Sequence, residues 1–266
     1  MGRWWRVTER ALRSWRVVER GAAWRDADAA ALRDPDALLT SPDAWPLKRP
    51  DAGRAVGLVV TGGRSVVVKV YDEPGIRGVV ERLLVGSPAA RAAWGRARMA
   101  AAGFAVPDVV AVLETPLRVP DRRSALVTVA VLGERADWYW EGLARRERRR
   151  FAEALGGYVR AVHAHGLYPQ DMRISNFVVV PTAAAVELVL VDLDRVRRHR
   201  RLAWRRRLKN LVQIDRSLGR LARAPERLCF LHSYLGPVDR AALRDAARAI
   251  IAASRRKDAL RPRTEQ

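Results

Sequence analysis

The sequence predicts an α+β chain in two lobes, a small β-rich one followed by a mainly helical one. Three observations lead there. Between residues 56 and 132 the apolar residues fall into short runs and period-two patterns, the spacing of strands, with Ala/Arg/Leu-rich helical stretches set among them. From Ala144 to His165 a helical stripe takes over, carrying Phe151, Leu155, Tyr158, Val159 and Val162. At the junction, two apolar runs, Phe177–Val180 and Val186–Val191, read as one short hairpin. Strands around a helix, then helices, is an α+β order, and a cleft between such lobes is where a ligand sits.

The 266 residues are 49% hydrophobic, enough for a sizeable core, so disorder of the whole chain is excluded. Charge is the outlying quantity: 50 Lys+Arg against 29 Asp+Glu give +21. Such a surface attracts polyanions, whether nucleic acid, anionic lipid or phosphorylated glycolipid. Part of the arginine excess is also what an Ala/Arg-rich composition gives. The single cysteine, Cys229, allows no internal disulfide and reads as a small buried apolar residue in a reducing compartment. No secretory signal is visible, and the longest apolar stretch, Phe177 to Val191, is broken by Pro181 and Glu187.

The elements follow in order. Residues 3–24 carry Trp4, Val7, Ala11, Trp15, Val18 and Ala22 at helical intervals, with Arg3, Arg6, Arg10, Arg13 and Arg20 largely off that stripe. This basic amphipathic helix either lies in a membrane interface or docks on its own domain through its tryptophans. Glu9 and Glu19 dilute the positive face and favour docking. Residues 25–46 are Asp- and Pro-rich and read as turns around a short helix. Val56–Thr61, the turn Gly62-Gly63 and Ser65–Tyr71 form a hairpin. Helical patterns cover 78–85 and 88–102, stopped by Gly103, and Val109–Glu114 and Ala125–Leu132 are strands. After the stripe and the loop His165–Asn176 come the two junction strands, and from about residue 200 the chain is helical and basic. The expected organisation is an N-terminal extension over 1–44, a β-rich lobe over 45–132 and a helical lobe over 133–266.

Four residues make chemical sense together. Phosphoryl transfer from ATP needs a cation on the α/β-phosphates, hard oxygen ligands for Mg²⁺ and a carboxylate to take the acceptor proton. Lys69 sits inside the apolar strand Val66-Val67-Val68-Lys69, a costly place for a lysine without a partner. Asp171 and Asn176 are five apart on a loop between helix and strand, and Asp192 ends the strand Leu188-Val189-Leu190-Val191.

His163-Ala164-His165-Gly166-Leu167-Tyr168-Pro169-Gln170-Asp171 with Asn176 resembles a kinase catalytic loop, and Val191-Asp192-Leu193-Asp194-Arg195 a kinase metal-binding segment. Val66-Val67-Val68-Lys69 resembles the nucleotide-binding lysine strand. With Lys209–Leu218 and Arg227–Gly236 in support, residues 45–250 resemble the lipopolysaccharide kinases, the Kdo/heptose kinase (InaA-like) family of the protein-kinase-like superfamily. The resemblance implies a protein-kinase-like fold, ATP and Mg²⁺ as cofactors, and phosphorylation of a lipopolysaccharide core sugar. It implies Asp171 as catalytic base, Asn176 and Asp192 as metal ligands and Lys69 as phosphate anchor. It also implies a cytoplasmic protein, peripheral on the cytoplasmic face of the inner membrane, with an anionic glycolipid acceptor and an anionic membrane surface as partners.

Departures leave two alternatives, a pseudokinase binding module and a kinase for a protein or another small molecule. Pro169-Gln170 stands where kinases carry His-Arg, which should loosen the loop. No Gly-x-Gly-x-x-Gly precedes Lys69, and Ala92-Ala93-Trp94 occupies the place of the usual helix glutamate, with Glu81 the nearest substitute. Basic runs cover Arg145 to Arg150 and, more densely, Arg195 to Lys209, nine basic residues in fifteen. They suit a phosphorylated acceptor, and Trp204 among them reads as core packing. No nucleic-acid motif accompanies the charge, so no specific nucleic acid is expected as a partner.

Overall fold

The computed structural model describes residues 15–51, 53–117, 122–182, 186–219 and 221–259. Within them the chain forms two compact units. One takes in the chain up to Trp94 and Pro107–Ala130; the other takes Gly95–Val106 and the chain from Val131.

The first unit is a six-stranded sheet with short helices. In chain order it contains β1 (Arg16–Arg20), α1 (Asp28–Ala31), α2 (Pro35–Thr40), β2 (Ala44–Asp51), β3 (Arg54–Thr61), β4 (Arg64–Asp72), α3 (Gly75–Val85), the start of α4 (Pro88–Ala100), β5 (Val109–Glu114) and β6 (Arg123–Val129). The order across the sheet is β1-β5-β6-β4-β3-β2, with antiparallel neighbours throughout. Gly62 and Gly63 turn the β3–β4 hairpin with φ of 56° and 71°, the left-handed backbone a two-residue turn demands. Strand alternation divides β4 between two cores. Val66, Val68 and Val70 face one way with Trp15, Leu32 and Val59. Tyr71 faces the other way, against Ala89, Ala92 and Ala93 of α4. Each fully buried aliphatic side chain of this kind contributes about 1.5–3 kcal/mol.

The helix expected over residues 3–24 is not what the structure has at its end. Arg16–Arg20 is strand β1, paired with β5 from Arg16 opposite Glu114 to Arg20 opposite Ala111. Its side chains are exposed, so backbone pairing with the open edge of β5 outweighs the helical spacing of the apolar residues. The expected tryptophan/arginine face over 3–14 lies outside the described residues. Between 25 and 46 two short helices stand among the turns. Asp34 caps α2, accepting from the Asp36 and Ala37 backbone N–H groups at 3.0 and 3.1 Å. Strand β2 has no counterpart among the sequence expectations.

A buried ion pair ties α3 to the sheet. Arg82 donates through Nε and Nη2 to both Glu73 carboxylate oxygens at 2.7 and 2.8 Å. Its Nη1 also reaches the Thr115 carbonyl at 2.7 Å.

The second unit is mainly helical. It contains β7 (Glu134–Arg135), α5 (Ala136–Gly142), α6 (Arg145–Ala164), β8 (Leu167–Pro169), a 3₁₀ turn (Ile174–Asn176), β9 (Phe177–Pro181), β10 (Val186–Leu190), β11 (Val196–Arg198), α7 (Trp204–Leu218), α8 (Ala224–Leu235) and α9 (Arg240–Ala259). β9 and β10 form the expected hairpin, and β8 pairs with β11. The α6 stripe Phe151, Leu155, Val159 and Val162 enters a core with Phe177, Leu190, Leu211, Ile214 and Phe230. Cys229 is half-buried beside that core, and burial pushes its thiol pKa up. Among the described residues no helix is long and apolar enough to cross a membrane.

Candidate active site

Lys69 lies mid-way along β4, in register with Val56 on one side and Leu126 on the other. It is 8% exposed and shares the sheet face of Tyr71. Its ammonium lies 5.6 Å from the Tyr71 ring centroid, within cation–π range. Glu81, the substitute partner considered above, is engaged by arginines of its own unit: Arg77 at 3.0 Å and Arg91 at 3.8 Å.

The second unit brings Asp171, Asn176 and Asp192 together through backbone bonds. Asn176 donates from Nδ2 to the Asp171 carbonyl at 3.0 Å. The Val191 N–H donates to the Asn176 carbonyl at 2.9 Å, which sets Asp192 one residue beyond that contact. The Gln170 N–H donates to the Arg195 carbonyl at 2.9 Å. The loop 170–176 and the segment 191–195 are thus tied at both ends. The Asp171 carboxylate is 40% exposed and pairs through Oδ1 with Arg173 Nε at 2.7 Å. Arg173 thus sets a guanidinium against this carboxylate, a pairing that no sequence motif marks.

The missing His-Arg does not leave the loop unsupported, because α7 holds it. Asn210, Gln213 and Ser217, at i, i+3 and i+7, line one helix face. Asn210 Nδ2 donates to the Pro169 carbonyl at 2.8 Å. Gln213 Nε2 donates to the Gln170 carbonyl at 2.7 Å, and its Oε1 accepts from the Met172 N–H at 3.3 Å. Ser217 Oγ accepts from the Ile174 N–H at 2.9 Å. Side chains of one helix therefore do what the loop's own side chains do elsewhere.

Behind Asn210 runs a buried polar chain. Its Oδ1 lies 3.0 Å from His163 Nε2, and His163 Nδ1 lies 3.0 Å from the Tyr234 hydroxyl. Because Asn210 gives both donated bonds elsewhere, its Oδ1 must accept, which assigns the imidazole proton to Nε2. Nδ1 then accepts from Tyr234. Burial holds the His163 pKa down at about 4, against a rise from the Asn210 bond. Burial pushes Tyr234 up to about 12.

The second half of α4 grips the 191–196 segment from another side. Arg96 Nη2 donates to the Val191 carbonyl and Arg98 Nη1 to the Val196 carbonyl, both at 3.0 Å. Gly95 permits the approach: a Cβ there would stand 2.5 Å from the Leu193 carbonyl oxygen. The signal for these supports was present in the sequence as polar residues on an otherwise apolar helix face. Only the contacts show what they hold. Trp204, read as core packing, is 44% exposed at the start of α7, because its helix face turns to solvent ahead of the buried run Asn210 to Ile214.

The donor set fits Mg²⁺. Asn176 spends its Nδ2 on the Asp171 carbonyl, so its Oδ1 is the end left to face a cation, and Asp192 adds a half-buried carboxylate. Among the described residues no three of His, Cys, Asp and Glu cluster as a metal cage.

A family model, the lipopolysaccharide kinase (Kdo/WaaP) family, matches residues 84–233. The chain is similar to the solved structure "WaaP in complex with acyl carrier protein", with 23% identity and a TM-score of 0.65 over 88% of this chain and 96% of that one. This likeness gives the fold as protein-kinase-like. No curated protein matches. With more than half of its length matched by that one family model, and that match spanning both the loop 170–176 and the segment 191–195, the chain belongs to the lipopolysaccharide kinase (Kdo/WaaP) family.

Proposed function

We propose that this chain uses ATP and Mg²⁺ to phosphorylate a sugar hydroxyl, on Kdo or heptose, of the lipopolysaccharide inner core. The observation that carries the reading is the tied set Asp171–Asn176–Asp192, in a member of a lipopolysaccharide kinase family. Asp171 takes the acceptor's proton through Oδ2, the oxygen that Arg173 does not engage. Arg173 orients that carboxylate and offers a cation to the transferring phosphoryl group. Asn176 and Asp192 would hold Mg²⁺, which when bound would supply positive charge to offset that of the transferring phosphoryl group. Lys69 is the anchor for the α/β-phosphates in this reading. The acceptor oxygen forms its bond to γ-phosphorus as the bond to the β-bridging oxygen breaks, and ADP leaves.

We place the activity at the cytoplasmic face of the inner membrane, supported by the +21 charge, which draws the chain to anionic lipid. The WaaP of the matched structure is bound to acyl carrier protein, and we carry that partner over to this chain as part of the same reading. Co-elution of the two proteins on gel filtration tests it.

The principal test is phosphate transfer from labelled ATP with Mg²⁺ to purified, dephosphorylated lipopolysaccharide core. The wild type should transfer. Asp171→Ala should lose about 10³-fold or more in kcat with its thermal midpoint unchanged. Full activity in a folded Asp171→Ala protein would remove Asp171 from the mechanism. Absence of both transfer and Mg-ATP binding in the wild type would favour a binding module instead.

A further inference from the structure

The geometry points to a second binding site in the helical unit: a subsite for an anionic group, phosphate or sugar carboxylate, already carried by the glycolipid acceptor. This rests on the kinase reading above and adds how the acceptor is read. The site is a cavity of about 490 Å³ beside the catalytic loop. Five cations line it, from three separate elements: Arg197 of β11, Arg205, Arg206 and Lys209 of α7, and Lys257 of α9. No Asp or Glu is among its lining residues.

Two observations separate this from an ordinary solvated basic face. First, several arginines elsewhere in the chain are matched with carboxylates, as in Arg82–Glu73, Arg64–Asp28 and Arg227–Asp215. Among the described residues, none of the five cavity cations takes part in an ion pair. Second, the crowding is felt by neighbouring groups. Burial, then Arg216 and Lys209, hold the Lys257 pKa below its ordinary value. Burial, then Arg206 and Arg197, do the same to His199. A folded chain that gathers cations around a concavity without counter-charge lowers its energy by binding an anion there. Arginine's planar fork matches phosphate or carboxylate oxygens two at a time.

Position gives the site its role. Gln170 lies on the cavity wall, and the next residue is Asp171. The Gln170 backbone is fixed on both sides, by the Arg195 carbonyl and by Gln213. Arg197 stands opposite Tyr168 in the β8–β11 register, and Tyr168 is also in the wall. An anion held here is therefore fixed relative to the proposed base. Leu208, Val212 and Ala253 supply apolar wall against which a sugar ring can rest. The subsite would select the hydroxyl by its distance from an existing charge on the same acceptor.

The test uses the full chain, wild type beside Arg197→Gln/Lys209→Gln, with Arg240→Gln/Arg244→Gln as a control of equal charge loss on the exposed start of α9. Four acceptors are compared: native core, enzymatically dephosphorylated core, carboxyl-reduced core, and core treated both ways. The cavity variant should raise KM for native core by about tenfold or more, with kcat and KM for ATP unchanged. On the doubly treated core, wild type and variant should coincide. Whichever single treatment removes the difference identifies phosphate or carboxylate as the group read. Calorimetric titration of native core without ATP gives the same comparison independently of turnover. If the wild type transfers no phosphate but binds native core in a way the cavity variant loses, the kinase reading falls and the subsite stands. If transfer occurs and the cavity variant matches the wild type, the subsite falls and the kinase reading stands. Equal losses in the control variant, or loss only of co-elution with acyl carrier protein, would also overturn the subsite.

Discussion

At the scale of single residues, the site depends on which atom of each side chain is already committed. Asn176 offers Oδ1 because Nδ2 is held by the Asp171 carbonyl. Asp171 offers Oδ2 because Oδ1 is held by Arg173. Both members of the Asp171–Arg173 pair are substantially exposed, so the pair adds at most about 1 kcal/mol to stability. In the proposed reaction its weight falls on chemistry instead. Arg173→Ala should lower kcat by about 10²-fold while leaving the thermal midpoint in place, and Arg173→Lys should restore part of the loss. Steady-state kinetics beside a melting curve checks this; an unchanged kcat would remove Arg173 from the reaction.

At the scale of elements, α7 is the support on which the loop 169–176 rests. Asn210 is buried and central to three polar contacts, so its loss strands the Pro169 carbonyl and the His163 Nε2 proton. Gln213 is less buried and bonds the loop backbone at Gln170 and Met172. The two positions should therefore separate. Asn210→Ala should cost about 2–4 kcal/mol of stability. Gln213→Ala should cost about 1 kcal/mol but lower kcat by about tenfold or more, because it frees the backbone on either side of Asp171. Chemical denaturation paired with turnover measures both. Equal effects of the two variants on stability and rate would mean that α7 is only a packing element.

At the scale of the whole molecule, the buried His163 makes stability depend on pH. Its folded pKa of about 4 lies below the ordinary 6.5. Between those values the unfolded chain binds a proton that the folded chain does not. Stability is therefore full above about pH 6.5 and falls as the pH drops toward 4, by up to about 3 kcal/mol. The groups facing the imidazole are Asn210 of α7 and Tyr234 of α8, with the Arg207 charge also opposing protonation. Denaturant midpoints from pH 7 to 4 should show the slope, and His163→Gln should flatten it. A wild-type profile level across that window would contradict the assignment of a neutral, buried imidazole.

The sequence by itself determined the elements whose signals are local. Gly62-Gly63 between β-branched runs dictates a hairpin because only a left-handed turn joins two twisted strands in two residues. The stripe from Phe151 to Val162 dictates a helix because its apolar spacing closes on one face. The order Lys69, Asp171, Asn176, Asp192 marks a candidate site in the sequence because phosphoryl transfer needs few groups and their chain order and spacing are distinctive; their roles belong to the proposal above. Tertiary structure alone decided the rest. Residues 16–20 have a helical apolar spacing, yet they form a strand because β5 offers an open edge with unpaired backbone groups. Strand β2 carries Pro46 and an irregular register, so only its pairing with β3 defines it. The loop that lacks His-Arg is held by Asn210, Gln213 and Ser217, some forty residues further along the chain. Long-range hydrogen bonds leave no periodicity in a sequence. A buried polar side chain announces that it needs a partner, and only the folded chain says which one.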